Sequence, residues 1–342
     1  MNGARHVNIP IFIPHLGCKN QCVFCNQRAI SGVKSFDLSK VREQIELQLA
    51  TKRKDDIYEI AFFGGSFTGI DRELMISLLS LAKEYLDRGD VKFLRCSTRP
   101  DYIDDEILDI LSFYGVRTVE LGLQSTCDKV LMATKRGHSA KDEFTAADLI
   151  LKHGLCLGGQ MMIGLPDSTL EDEIRTAEDI VKMGAKEARI YPTLVFRETE
   201  LKEMLDGSSY APLSVEEAVK RSAAALEIFL ENGVKVLRIG LCESDGLRND
   251  GAMVAGPYHP AVGELVFSEY YYGRLTSQIK EKKITPGSDI VIYCSVGETS
   301  KIVGHNKANK MRLKDEYGIN IIKIIEYFVS GNELSIVARE RT

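Results

Sequence analysis

The sequence lacks a long apolar run and a secretory-type N-terminus. Its first apolar stretch, Val7–Ile13, is interrupted by Pro10 and is far shorter than the roughly 20 residues that a membrane-spanning helix needs. The residues before it, Met1 to His6, contain no apolar core followed by a cleavage site, which a secretory signal requires. We therefore expect a cytoplasmic protein that has no membrane partner and whose thiols stay reduced.

An excess of positive charge is also missing. The chain carries 44 Lys and Arg against 49 Asp and Glu, a net charge of −5, so it is not a polycation. A nucleic-acid partner would need a local basic patch. From Arg274 to the end there are 12 basic and 8 acidic residues, a local charge of +4. The candidate patch, which could equally be a solvated helix face, consists of Lys301, Lys307, Lys310, Arg312 and Lys314.

Cysteine is scarce, with eight in 342 residues, and this excludes a dense disulfide framework. Three of the eight nevertheless lie close together, as Cys18, Cys22 and Cys25 in a C-x3-C-x2-C arrangement. Thiolates are the usual protein ligands of iron–sulfur clusters, and three of them leave one iron of a cubane open for chemistry. Most of the others, which are scattered along the chain, are expected to be small buried hydrophobic residues: Cys96, Cys127, Cys156, Cys242 and Cys294.

A structural zinc ion is the main alternative at these three cysteines. Such a site needs four ligands, which commonly come as two Cys or His pairs. The sequence contains no second C-x2-C or H-x3-H pair, although His15 lies close by. The pattern therefore favours a cluster, with zinc as the second interpretation.

Strand-like and helix-like segments alternate about six times between residues 7 and 193, with no internal repeat beyond that alternation. Short apolar strands with intervening helices predict a parallel sheet. Glycine or polar residues recur just after strands one to five, and in a parallel barrel those positions share one face, where active sites are built. We expect an α/β fold, a partial (β/α)6 TIM-like barrel that is open on one side, with a small C-terminal α/β appendage.

Beyond the partial barrel, the sequence predicts two further units. We place the partial barrel at residues 1–240, a C-terminal extension at 241–285, and the small α/β appendage at 286–342, where the basic patch is a candidate for RNA contact. The segment Val215–Asn232 has strong helical periodicity, with Ser214 as its N-cap and Gly233 after its end.

The cysteine pattern is the signature of the radical S-adenosylmethionine (SAM) enzymes. Several further segments, taken in order, resemble the catalytic subunit of Elongator over roughly residues 7 to 270. The resemblance implies a [4Fe-4S] cluster whose open iron binds SAM, one-electron cleavage of SAM to a 5′-deoxyadenosyl radical, and chemistry at carbon 5 of the wobble uridine of tRNA. The segments are FFGGSFT at 62–68, STRPDYI at 97–103, ELGLQS at 120–125, RGH at 136–138, RIYPTLV at 189–195, and residues 257–266.

The resemblance also assigns roles to individual residues. Cys18, Cys22 and Cys25 would ligate the cluster, Phe24 would shield it or pack into the core, and Tyr191 would face the substrate or be a core tyrosine. Arg136 would bind a carboxylate, with a surface salt bridge as the alternative, and His259, in an irregular loop, is expected to be structural. SAM itself would be held at the positions Gly64, Gly65 and Ser66 (its amino group), Ser97, Gln124, Arg136 and Gln160 (its ribose and carboxylate), and Ile163–Gly164 (its adenine).

Two departures from the family keep the substrate open. Ser66 stands where the family often has an acid, and residues 286–342 are far fewer than an acetyltransferase-like domain would need. Three hypotheses follow. The protein is a radical SAM enzyme acting on tRNA or another RNA, one acting on a small molecule as coproporphyrinogen oxidase does, or a non-enzymatic metal-binding module associated with RNA. Either enzyme would need a reductant such as ferredoxin or flavodoxin.

Overall fold

The computed structural model describes residues 6–13, 17–19, 21–26, 36–53, 55–241, 252–328 and 331–339. The predictions for His15 and Cys242 lie outside these residues. Within them, no helix combines the length and the apolar character that crossing a membrane requires.

A parallel sheet of seven strands organises the larger part of the chain, and every neighbouring pair in it is parallel. The strands follow each other in chain order, so the sheet curls into an open half-barrel. They are β1 (His6–Phe12), β2 (Ile57–Phe63), β3 (Phe93–Thr98), β4 (Val116–Gln124), β5 (Cys156–Ile163), β6 (Glu187–Pro192) and β8 (Lys235–Ile239). A short antiparallel pair, β7 (Val195–Phe196) and β9 (Met253–Ala255), lies beside it.

The helices alternate with these strands, as the periodicity predicts. They are α1 (Ser39–Leu49), α2 (Arg72–Asp87), α3 (Asp105–Phe113), α4 (Asp128–Ala133), α5 (Ala140–Lys152), α6 (Leu170–Lys182), α7 (Glu200–Asp206), α8 (Val215–Glu231) and α9 (Val262–Glu281). Side-chain caps fix several starts: Thr169 caps α6 in a capping box with Asp172, and Ser214 caps α8.

The half-barrel has one strand more than the six that the alternation predicts. Helix α8 packs on the sheet as a further crossover and returns the chain to β8, which pairs with β6. The strand is half-exposed, so its apolar signal is weak. The predicted α/β partial barrel is otherwise confirmed.

Alternation along the strands separates a helix side from an inner side. On β1, Ile9 and Ile11 join the main apolar core, whereas Asn8, Pro10 and Phe12 line the concave inner side. The two sides therefore have different chemistry: the core is apolar, and the inner side carries the polar groups described below.

The C-terminal part forms a separate three-stranded sheet in the order β11 (Asn320–Phe328), β10 (Asp289–Ser295), β12 (Leu334–Arg339). Helices α10 (Thr299–Val303) and α11 (Ala308–Tyr317) connect β10 to β11 in this part of the chain. Two cations of the predicted basic patch already have partners: Lys301 pairs with Glu298, and Arg312 pairs with Glu269 and stacks on Tyr272. The division at residues 240 and 285 and the RNA contact stay predictions.

Candidate active site

The cysteine loop follows β1 and is pinned at Val23. The Val23 amide donates to the Thr134 carbonyl at 3.2 Å, and the Val23 carbonyl accepts from the Leu201 amide at 2.8 Å. The thiol of Cys22 is buried, whereas Cys18 and Cys25 are half-buried. Because two separate helices hold this short loop, its cysteines have fixed positions relative to the barrel.

A close backbone contact joins the cysteine loop to the turn after β2. Gly17 has φ +86°, and a Cβ built on it would lie 2.7 Å from the backbone of Gly69 and of Ile70. A Cβ on Gly69 would in turn lie 3.2 Å from the carbonyl carbon of Gly17. Only glycine allows this approach, which brings the Cys18 Sγ within 3.4 Å of the Ser66 Oγ.

Two buried arginines reach Cys22. Arg136 Nη1 lies 3.2 Å from its Sγ and Arg99 Nη1 lies 3.7 Å from it. Arg136 also donates to the carbonyl of Gly122, and Arg99 to the carbonyl of Arg136. The surface salt bridge considered for Arg136 is therefore wrong, since this side chain is only 4% exposed.

A partly exposed acid and a buried imidazole, those of Asp101 and His138, hold Arg99 in place. The Asp101 carboxylate accepts from Nε and Nη2 of Arg99 at 2.8 and 3.1 Å, and His138 Nδ1 lies 3.3 Å from Nη2. The fully buried imidazole of His138 places Nε2 3.0 Å from Glu143. Burial raises the pKa of Glu143 to about 7, although His138 opposes the rise.

A second polar network fills the floor of the half-barrel. The carboxylate of Glu120 accepts from Arg95 at 2.6 Å and from Arg189 at 2.7 and 3.0 Å. Arg95 also donates to Glu59 at 2.6 Å. Burial alone would raise the pKa of Glu120, but Arg189 and Arg95 outweigh it and the pKa is lowered; at Glu59 burial prevails and the pKa is raised.

Sequence reasoning named Arg136 as a site residue but missed Arg99 and the floor network. Four mostly apolar strands place a charged residue on the same alternation, and this was the available signal for the floor network: Glu59, Arg95, Glu120 and Arg189. For Arg99 the signal was its place in the segment after β3, one residue before Pro100.

Above the floor lies a cavity of about 1070 Å³. The cavity brings together many residues that the sequence predicted for the site: Phe24, Cys25, Gly64, Gly65, Ser97, Gln124, Gln160 and Tyr191. Gln160 Nε2 donates to the Ser97 hydroxyl at 3.1 Å and to Glu120 at 2.9 Å, so its orientation is set by the floor. Phe24 both lines the cavity and packs on the small apolar cluster around Val23.

Other predicted residues are not part of this lining. They are Cys18, Cys22, Ser66, Arg136 and Gly164. The amide of Gly164 donates to Glu173 at 2.7 Å and its carbonyl accepts from Tyr210 at 2.7 Å. The carbonyl of Ile163 accepts from the Thr193 amide at 2.9 Å. His259 accepts from the Ala261 amide at 3.0 Å, which is a local structural contact.

Gln124, on the cavity wall, combines an unusual backbone conformation with an unsatisfied side-chain oxygen. It is a non-glycine residue at φ +72°, a conformation that costs free energy and is typical of functional positions. Its buried Oε1 has no hydrogen-bond partner among the described residues. A ligand donor in the cavity would satisfy this atom.

The donors present fit a three-cysteine cluster with SAM beside it. Three thiols come from one pinned loop, one of them on the cavity wall, and an unsatisfied amide oxygen faces the same space. No group of His, Cys, Asp and Glu within the described ranges is arranged to hold a single metal ion. The thiolates of a cubane each bind a different iron, so they need not converge on one point.

Two family models match the sequence. Residues 12–180 match the radical SAM superfamily, and residues 185–272 match the radical SAM C-terminal domain. The chain belongs to the radical SAM superfamily. It is therefore a radical SAM enzyme, which argues against the non-enzymatic hypothesis.

Known relatives place it near the Elongator branch, as the sequence segments predicted. A tRNA uridine(34) acetyltransferase of Methanocaldococcus infernus is 29% identical over 53% of this chain and 38% of that protein. Elongator complex protein 3 of Bos taurus is 25% identical over 62% and 47%. The solved structure of the archaeal Elp3 of Methanocaldococcus infernus has a TM-score of 0.64 at 22% identity, covering 86% of this chain and 72% of that one, which shows a shared fold.

Proposed function

We propose that this radical SAM enzyme modifies a nucleotide of tRNA or another RNA, with carbon 5 of the wobble uridine as the first candidate. The observation that carries the proposal is the composition of the cavity wall. Its lining includes Arg53, Arg189, Arg238 and His6 but neither Asp nor Glu among the described residues, although the chain as a whole has a net charge of −5.

This wall suits an anionic ligand that carries a flat ring. Arg189 is already balanced by Glu120, but neither Arg53 nor Arg238 has an ion-pair partner among the described residues. Phosphates of a nucleic acid are the usual ligands of such cations. Aromatic walls stack on bases, and side-chain amides read base edges. The lining supplies both types: Phe12, Phe24, Tyr58, Phe63, Tyr191 and Phe196, with Asn8, Gln48, Gln124 and Gln160.

The relatives support an RNA substrate, but their similarity to this chain does not support acetyl transfer. The matched segment spans only 38% of the tRNA uridine(34) acetyltransferase and 47% of the Elongator protein. Transfer of an acetyl group is therefore left out of the proposal. An RNA substrate would be presented to the open side of the half-barrel.

In this proposal Cys18, Cys22 and Cys25 hold the [4Fe-4S] cluster. When bound beside it, SAM supplies a 5′-deoxyadenosyl radical once the cluster receives an electron from ferredoxin or flavodoxin. The turn at Gly64, Gly65 and Ser66 would hold the amino group of SAM. Farther along the sheet edge the proposed contacts of its ribose, carboxylate and adenine are Ser97, Gln124, Gln160 and Gly164. Tyr191, half-buried on the lining, would face the substrate.

The test compares modified nucleosides of total RNA by mass spectrometry in a strain deleted for this protein and in its parent. We expect one modified nucleoside to disappear, and to return with the wild-type protein but not with Cys22→Ala. Cys156→Ala is the matched control, because this half-buried cysteine lies on β5 away from the cluster loop. An unchanged nucleoside profile would overturn the RNA proposal and favour a small anionic substrate, which metabolite comparison would then identify.

A further inference from the structure

The three cysteines of the loop have unequal surroundings. Cys22 is the most buried, and two guanidinium groups point at its sulfur, at 3.2 and 3.7 Å. Cys18 instead faces the neutral hydroxyl of Ser66 at 3.4 Å. One corner of the cluster is therefore built into a cationic pocket, a feature that the family signature alone does not predict.

This pocket is rigid. Arg99 donates to both carboxylate oxygens of Asp101 and to the carbonyl of Arg136. Arg136 in turn donates to the carbonyl of Gly122, near the end of β4. Arg99 and Arg136 are each 4% exposed. Guanidinium groups fixed in this way lose little conformational entropy when they donate to a thiolate.

A fixed cation next to a cluster ligand has a defined electrical effect. Reduction adds one negative charge to the cluster, and a neighbouring positive charge stabilises that reduced state. Burial weakens solvent screening, so the interaction is stronger than it would be at the surface. Hydrogen bonds to the ligand sulfurs and local charge are the levers by which proteins set cluster potentials.

We propose that Arg99 and Arg136 are positioning residues that fix Cys22 and raise the reduction potential of the cluster. The inference rests on the proposed function, because it requires the cluster. It gives Arg136 a role distinct from the carboxylate contact with SAM that the family resemblance implies. Arg136 contacts Cys22 and is not among the residues that line the cavity, and both observations favour the cluster role.

The experiment is an anaerobic redox titration of the reconstituted full chain without SAM, followed by electron paramagnetic resonance of the reduced cluster. Iron content and SAM affinity are measured on the same samples. We expect Arg136→Met and Arg99→Met each to make reduction about tenfold less favourable, a fall of about 59 mV for a one-electron couple. Lys135→Gln is the control, because it removes a neighbouring charge that is exposed and paired with Glu200.

The outcomes separate the two roles of Arg136. A lowered potential or lost iron without SAM, with the Lys135→Gln value unchanged, supports the proposal. A wild-type potential in Arg136→Met together with a tenfold loss of SAM affinity overturns it and assigns Arg136 to SAM. If Arg99→Met unfolds at a lower temperature than wild type, Arg99→Lys replaces it, because lysine keeps the positive charge and a donor. We expect the reduction potential of Arg99→Lys to stay near that of wild type. A potential in Arg99→Lys as low as that of Arg136→Met would contradict the proposal.

The same samples distinguish this inference from the proposed function. A wild-type chain that binds no iron–sulfur cluster would remove the basis of both. A wild-type chain that binds the cluster, with all arginine variants equal to it in potential and iron content, would overturn the inference alone.

Discussion

Gln160 donates its side-chain amide to the buried carboxylate of Glu120 at 2.9 Å, and this contact joins the cavity wall to the floor of the half-barrel. The same carboxylate accepts from Arg95 and Arg189. The orientation of Gln160 on the cavity wall is therefore set by a buried ion network. A binding site with fixed geometry requires surrounding residues that hold its side chains in this way.

The first prediction concerns that network. Glu120→Gln leaves two buried guanidinium groups without their shared anion, and removing one partner of a buried ion pair costs about 3–5 kcal/mol. We expect the free energy of unfolding in urea to fall by that amount. Glu84→Gln is the control, since the pair of Glu84 with Arg42 is half-exposed and such pairs are worth below about 1 kcal/mol. Equal losses in the two variants would contradict this account of the floor.

The second prediction concerns the contact between the cysteine loop and the turn after β2. In Gly69→Ala the new methyl group meets the backbone of Gly17, which cannot move without shifting Cys18. We expect less iron retained after anaerobic reconstitution, and a loss of stability of about 1–3 kcal/mol from overpacking. Gly273→Ala, with nothing within 4 Å of its Cβ position, should retain full iron. Full iron in Gly69→Ala would show that the contact does not position the cluster loop.

Much of this fold could be predicted from the sequence because its signals are local. Apolar strands, capped helices such as α6 and α8, and glycine or polar residues after strands all follow from short segments. The three cysteines are equally local, since their spacing alone fixes them to one loop. The place of the seventh strand, β8, in the sheet was harder, because its pairing with β6 joins segments separated by the whole of α8.

The support of the site could not be predicted in the same way. The contacts of Arg136 and Arg99 with Cys22 join residues 114 and 77 positions apart. No periodicity encodes such a pair; it exists only because parallel strands bring their ends to one edge of the sheet. The family resemblance therefore put Arg136 in the right region, while its neighbour in space emerged only from the fold.

The third prediction concerns pH. Burial raises the pKa of Glu143 from 4.5 to about 7, with His138 and Arg136 acting in the opposite direction. Because the folded-state pKa is the higher one, the stabilisation is complete below pH 4.5 and is lost as the pH rises through 7. Glu143→Gln removes this dependence. The free energy of unfolding in urea is measured for both proteins from pH 5 to pH 8. The value for Glu143→Gln minus the value for wild type should rise over this range by at most about 3 kcal/mol. A difference that stays constant with pH would contradict a protonated Glu143.

The fourth prediction concerns the open edge of the cavity, where Arg238 lines the wall without an ion-pair partner among the described residues. If Arg238 contacts a phosphate of the substrate, Arg238→Gln should weaken binding of a single-stranded RNA and reduce the slope of log K against log salt by about 0.7. Fluorescence anisotropy at several salt concentrations measures both. Arg117→Gln removes an equal charge from a residue that stacks on Phe93 and does not line the cavity, so its slope should match wild type. If both variants lose the same slope, the attraction is diffuse and Arg238 is not a phosphate contact; if wild type itself binds no RNA, the proposed substrate class is wrong.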